Sequence, residues 1–177
     1  AHHMLEAGYE TQALIHWVHA AQKALNNSAN ETAAELIRNA HKVLKKKGVS
    51  AQTDPLVVRA EFELTLMRLS ALNRIGNHDA CAQLADRRGE TYKKKQNKIN
   101  LARFNIQVAE SLVQVGEIEQ AKKLAEKVLR VARLPKDLLP LRGRAHRLLG
   151  QVYALEGSYE KSTTSLKRAL WLCRNLN

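Results

Sequence analysis

The sequence predicts an all-α protein built from four antiparallel helix pairs, and three observations carry that reading. Apolar residues recur at spacings of three and four, which places them on one face of a helix. A glycine-centred segment repeats with a period near forty residues. Helix-breaking residues are scarce, with 3 Pro and 8 Gly in 177 residues. An aromatic share of 5% argues against an all-β sandwich, whose strands draw heavily on aromatic side chains. A hydrophobic share of 45% argues against a disordered chain.

Three segments define the repeat: Ile75-Gly76-Asn77-His78-Asp79-Ala80-Cys81, Val115-Gly116-Glu117-Ile118-Glu119-Gln120-Ala121 and Glu156-Gly157-Ser158-Tyr159-Glu160-Lys161-Ser162. Their glycines stand 40 and 41 residues apart. Five places after each glycine lies a small residue (Cys81, Ala121, Ser162), and nine places after it an apolar or small one (Ala85, Ala125, Leu166). Glycine supplies the positive φ that ends one helix, and small residues let the next helix pack closely against it. A more divergent copy centres on Ser28, followed by Ala33, Ile37 and Ala40. Gly8, Ala13, Trp17 and Ala20 offer a competing register, but it leaves the helix at 30–47 unpaired, so the Ser28 register is preferred.

The elements follow in order. The first pair spans about 9–26 and 30–47, with Trp17, Ala20, Ala21 and Ala24 on one face and Gly48 closing it after Lys45-Lys46-Lys47. Asp54-Pro55 opens the second pair, 55–74 and 78–94, whose first helix carries Leu66, Leu69 and Leu72. Gln96-Asn97 leads into the third, 98–115 and 118–133, with Val108, Ala109, Leu112 and Val113 before its glycine. Leu134-Pro135 separates the fourth, 137–156 and 159–175, marked by Leu149, Gly150, Tyr153 and Ala154. Ala1-His2-His3-Met4 reads as an expression-tag remnant, leaving 5–177 as a single helical repeat domain.

The last copy reads Leu149-Gly150-x-x-Tyr153-Ala154-x-x-Gly157-x-Tyr159-x-x-Ser162-x3-Leu166-x-x-Ala169-Leu170. It resembles the tetratricopeptide repeat at nearly every signature position except Ser162, where alanine is usual. The second copy departs at Arg88, where a small residue is expected, and the first lacks the turn glycine. A period near forty, with Ala121-x-x-Leu124-Ala125-x-x-Val128-Leu129-x-x-Ala132-Arg133, is similar to long-helix variants of that superfamily. Such variants occur in MalT/LuxR-type regulators and in scaffolds that bind G-protein regulatory motifs. The resemblance implies a right-handed superhelical solenoid whose first helices line a concave groove and whose second helices form the convex side.

No reaction centre is evident. The chain has no H-E-x-x-H, no G-x-S-x-G and no C-x-x-C, and the sequence predicts neither catalysis, nor a cofactor, nor a bound metal. Gly157-Ser158-Tyr159-Glu160-Lys161-Ser162 ends like a phosphate loop, but it lacks the second glycine and follows a helix rather than a strand. His16 and His19 lack a third ligand nearby, and His146 occupies a packing position. Cys81 and Cys173 are expected to be reduced thiols. Without a secretory signal or an apolar run of about 18 residues, the expected location is the cytoplasm or nucleus, with no membrane partner.

Charge points to an acidic partner. Residues 86–177 hold 20 Lys/Arg against 9 Asp/Glu, whereas residues 1–85 hold 9 against 8, out of a net charge of +12. The family geometry implies a partner-binding groove that includes Leu66, Asn73, Arg74, Arg103, Ile106, Arg144, Arg147 and Gln151. There the arginines would pair with Asp or Glu carboxylates and the apolar residues would hold an anchor. The alternative is that several of these arginines merely solvate the groove or pair internally with Glu63 and Glu110. The Lys/Asn clamp of chaperone-binding relatives is not reproduced. Lys122, Lys123, Lys127, Arg130 and Arg133 form a basic patch on the convex side, next to Lys93, Lys94, Lys95 and Lys98.

The leading expectation is a non-enzymatic adaptor that binds an acidic segment of another protein. The rivals are a nucleic-acid-associated module using the basic convex side, and a ligand-sensing or oligomerisation segment of a larger regulator. The apolar terminal stretch Ala169-Leu170-Trp171-Leu172-Cys173 lacks a polar cap, which implies further repeats, another subunit or self-association at that end.

Overall fold

A computed structural model of the chain describes residues 3, 9–47, 54–131 and 138–175. These residues form eight helices and, among the described residues, no strand. The helices are α1 (Glu10–Asn26), α2 (Asn30–Lys47), α3 (Pro55–Arg74), α4 (His78–Lys95), α5 (Lys98–Gln114), α6 (Ile118–Val131), α7 (Leu139–Leu155) and α8 (Tyr159–Arg174). Away from the undescribed residues, these bounds lie within one residue of those read from the sequence. Gly48, Arg133, Leu134 and Pro135 lie outside the described residues.

Local chemistry accounts for the helix ends. The Asp54 carboxylate accepts the Leu56 backbone N–H at the start of α3, where Pro55 has no N–H to lose. Asn77 accepts the Ala80 N–H and Asn97 accepts the Asn100 N–H, so α4 and α5 open on side-chain caps as well. Each satisfies one of the donors that a helix start leaves without an intrahelical partner.

The turns share one geometry. Gly76, Gly116 and Gly157 take φ of 74°, 83° and 73°, and Ser28 takes 59° as the one non-glycine described in the left-handed region. After α5 the Glu117 N–H donates to the Leu112 carbonyl and Gly116 to Val113; after α7, Ser158 donates to Tyr153 and Gly157 to Ala154. After α1, Ala29 donates to Ala24 and Ser28 to Leu25. The same paired bonds close three helices, and they need a left-handed residue at the turn centre. Ser28 is therefore a turn centre in fact, as the preferred register expects.

The chain divides into two compact units, Ala1–Gly76 and Asn77–Asn177. In the first, α1 packs on α2 and both pack on α3. Their core includes Leu14, Trp17, Ala21, Ile37, Ala40, Val57, Leu64 and Met67. In the second, α4 packs on α5, α5 on α6 and α7, α6 on α7, and α7 on α8. Its central cluster combines Ala102, Ile106 and Ala109 of α5 with Ala121, Ala125 and Val128 of α6 and Leu141, Ala145, Leu148 and Val152 of α7. Buried alanines on all three helices leave room for close packing of their apolar stripes. Tyr92 of α4 meets the Phe104 ring of α5 edge to face, with centroids 5.2 Å apart.

Between α7 and α8 the packing is tight at Gly150, where an added Cβ would lie 2.6 Å from the Leu166 side chain. Ser162, the departure from the repeat pattern, is buried there. Its hydroxyl donates to the Gly150 carbonyl at 2.8 Å. A polar side chain is thus accommodated at a packing position because a partner atom lies opposite it.

Candidate functional site

In the second unit, α5 and α7 bring two of the predicted groove residues around one carboxylate. Arg144 reaches Glu110 through Nε to Oε1 at 3.2 Å and Nη2 to Oε2 at 2.6 Å, a two-point contact. Arg147 donates from Nη2 to the same Oε1 at 2.8 Å. The Glu110 side chain keeps 18% of its surface, Arg144 37% and Arg147 49%. Two guanidinium groups share one carboxylate, leaving a surplus positive charge whose direction is fixed by planar, bidentate bonding. Arg103 stands seven residues before Glu110 on α5 and is half-buried. Gln151, one turn beyond Arg147 on α7, is exposed. The internal pairing with Glu110, one of the two readings open from the sequence, is present.

Two apolar groove residues require correction. Ile106 is fully buried in the cluster that α5 shares with α6 and α7, and Leu66 is buried on α3 with 7% of its surface left. Neither presents an anchor site to a partner. Their distance from the turn centre sets the angle at which they leave their own helix, but neighbouring helices decide whether that angle meets solvent. Arg74 is exposed, yet its guanidinium donates to the Leu25 carbonyl at the end of α1. It adds a second donor to a carbonyl that already accepts the Ser28 N–H, and it complements the negative end of the α1 dipole. Asn73 beside it is half-buried.

The predicted convex patch is divided. Lys123, Lys127 and Arg130 are exposed on one face of α6. Lys122 instead turns towards α7, where its ammonium lies 2.8 and 3.0 Å from the two Glu156 oxygens and 5.2 Å from the Tyr153 ring centroid. The Glu156 carboxylate holds its pKa above the ordinary lysine value. Arg133 lies outside the described residues. Glu119 and Glu126, also exposed, stand four residues before Lys123 and Arg130, the helix-supporting order for opposite charges. Acids interleave with the cations, so the face is mixed rather than uniformly basic. In the preceding junction, Lys93 is ion-paired to Glu90.

The Lys122–Glu156 tie was not read from the sequence. Its partners are 34 residues apart, and the only signal was a lysine six places after one turn centre and a glutamate one place before the next. Cys81 and Cys173 are free thiols; burial pushes the Cys81 thiol above its usual pKa, partly offset by a hydrogen bond with Ser111. Among the described residues no group of three His, Cys, Asp or Glu is arranged to hold a metal ion, and no helix is long and apolar enough to cross a membrane. No protein-family model, no curated protein sequence and no solved structure matches the chain.

Proposed function

We propose that the chain is a non-enzymatic interaction scaffold of tetratricopeptide-like helix pairs, stacked as a right-handed solenoid, that binds an acidic segment of a partner protein. The binding surface in this reading is the α5–α7 face carrying Arg103, Arg144, Arg147 and Gln151. The observation that supports it most is the sharing of Glu110 by two arginines. One carboxylate neutralises only one of them, and it presents Arg147 half-exposed with its guanidinium already oriented. A partner carboxylate meets a cation whose side-chain entropy has been partly lost beforehand, which favours binding.

A labelled Asp/Glu-rich peptide titrated by fluorescence anisotropy tests this directly. Arg144→Gln with Arg147→Gln is expected to weaken binding by about tenfold or more. Glu110→Gln removes the internal competitor and is expected to tighten it. Unchanged affinity in both variants overturns the assignment. A labelled single-stranded oligonucleotide that binds instead, with a steep salt slope and sensitivity to Lys123→Gln and Lys127→Gln, shifts the reading to nucleic acid.

A further inference from the structure

The repeat itself supplies a comparison surface for α8. Forty-one residues separate Gly116 from Gly157, so Ile118, Lys122, Ala125 and Leu129 of α6 correspond to Tyr159, Thr163, Leu166 and Leu170 of α8. On α6 this side faces α7: Lys122 contacts Tyr153 and Glu156, Ala125 is fully buried, and Ile118 and Leu129 pack against the shared cluster. On α8 the same side is open. Tyr159 keeps 72% of its surface, Leu170 52% and Leu166 43%. Tyr159, Leu166 and Leu170 are as large as or larger than their α6 counterparts and form an exposed apolar strip.

Charge on the flanks changes as well. Glu126 of α6 corresponds to Lys167 of α8, Glu110 of α5 to Gln151 of α7, and the buried Ile106 to the exposed Arg147. A helix resembling α7 would bring arginines equivalent to Arg144 and Arg147 here, and would find a glutamine in place of the glutamate they pair with. A second copy of α7 is therefore a poor match. An acid-flanked helix meets the exposed Lys167 instead.

We propose that the side of α8 bearing Tyr159, Thr163, Leu166 and Leu170 docks an amphipathic helix of a partner protein, with Asp or Glu along the flanks of its apolar stripe. The stripe follows from α7, which presents Leu141, Ala145, Leu148 and Val152 to the cluster it shares with α5 and α6, at spacings of four, three and four. The residues substituted to test this surface differ from those that test the α5–α7 arginine cluster.

The probe is a synthetic peptide of residues 139–156 with Arg142→Glu, Arg144→Glu and Arg147→Glu, and with Gly143→Ala and Gly150→Ala to support the helix. Its twin keeps the three arginines. Anisotropy titration against the full chain is expected to show the acidic peptide binding about tenfold tighter than its twin. Tyr159→Glu with Leu170→Glu is expected to lose that binding by about tenfold or more while the thermal midpoint stays within a few degrees, because both side chains are exposed. Lys167→Glu is expected to reverse the preference between the peptides. Failure of the acidic peptide to bind, equal binding of both peptides, or binding retained in the double variant overturns the proposal. So does sedimentation showing a dimer that Leu170→Glu dissociates, which assigns the face to a second copy.

Discussion

Two positions show how far single residues set the behaviour of the fold. His146 on α7 is 9% exposed, and its Nδ1 has no hydrogen-bond partner. Burial, and then the Arg168 and Arg142 cations, hold its pKa below the ordinary 6.5. The folded state thus resists a proton that the unfolded chain accepts. This contribution to stability is full above the unfolded value and is lost as pH falls below it. Urea unfolding midpoints are expected to drop between about pH 7.5 and about pH 5, and His146→Leu is expected to reduce that drop; equal drops in both proteins would refute the assignment. At Ser28 the argument concerns the backbone. A φ of 59° suits glycine, so Ser28→Gly is expected to stabilise by up to about 1 kcal/mol. Gly116→Ala is expected to cost about 1 kcal/mol, through φ alone because an added Cβ there meets nothing within 4 Å. Thermal unfolding of the two variants checks both signs.

At the scale of elements, the crossing of α7 and α8 is set by one missing methyl group. The third pair places Ala109 and Ala125, both fully buried, where the fourth has Gly150 and Leu166. The leucine fills the space that the glycine leaves. Gly150→Ala gains helix propensity but collides with Leu166, for a net loss of about 1–2 kcal/mol. Adding Leu166→Ala recreates the Ala/Ala pairing and is expected to recover most of that loss, as a double-mutant cycle by chemical denaturation would show. The helices themselves were legible in the sequence because local chemistry sets them: period, caps at Asp54, Asn77 and Asn97, and left-handed turn centres. Surface assignments were less legible. Ile106 and Arg147 occupy the same place relative to their turn glycines, yet one is buried and the other exposed. The difference is that α7 covers Ile106, whereas no described helix covers Arg147 in the same way. The Lys122–Glu156 tie escaped for the same reason, and the Arg144–Glu110 tie stayed one of two open readings, since each depends on which helix lies alongside.

For the molecule as a whole, the uneven charge matters more than any one pair. Residues 77–177 carry 20 Lys/Arg against 10 Asp/Glu, a net of +10. Glu110, Glu156 and Glu90 each engage cations internally, and these pairings leave the net charge unchanged. A field of that sign extends about 10 Å from the surface at 0.1 M salt, beyond the reach of contacts, and draws in negative segments before they dock. Binding of an acidic peptide is therefore expected to show its salt dependence mainly in the association rate. Stopped-flow measurement between about 0.05 and about 0.5 M salt is expected to show that rate falling by about tenfold while dissociation changes little. An association rate independent of salt would mean that the charge serves solubility rather than recognition. Glu110→Gln separates the long-range field from the local contact. It raises the net charge by one, so it speeds association slightly, whereas freeing Arg144 and Arg147 to hold a partner carboxylate slows dissociation, and only that second change reports the α5–α7 face.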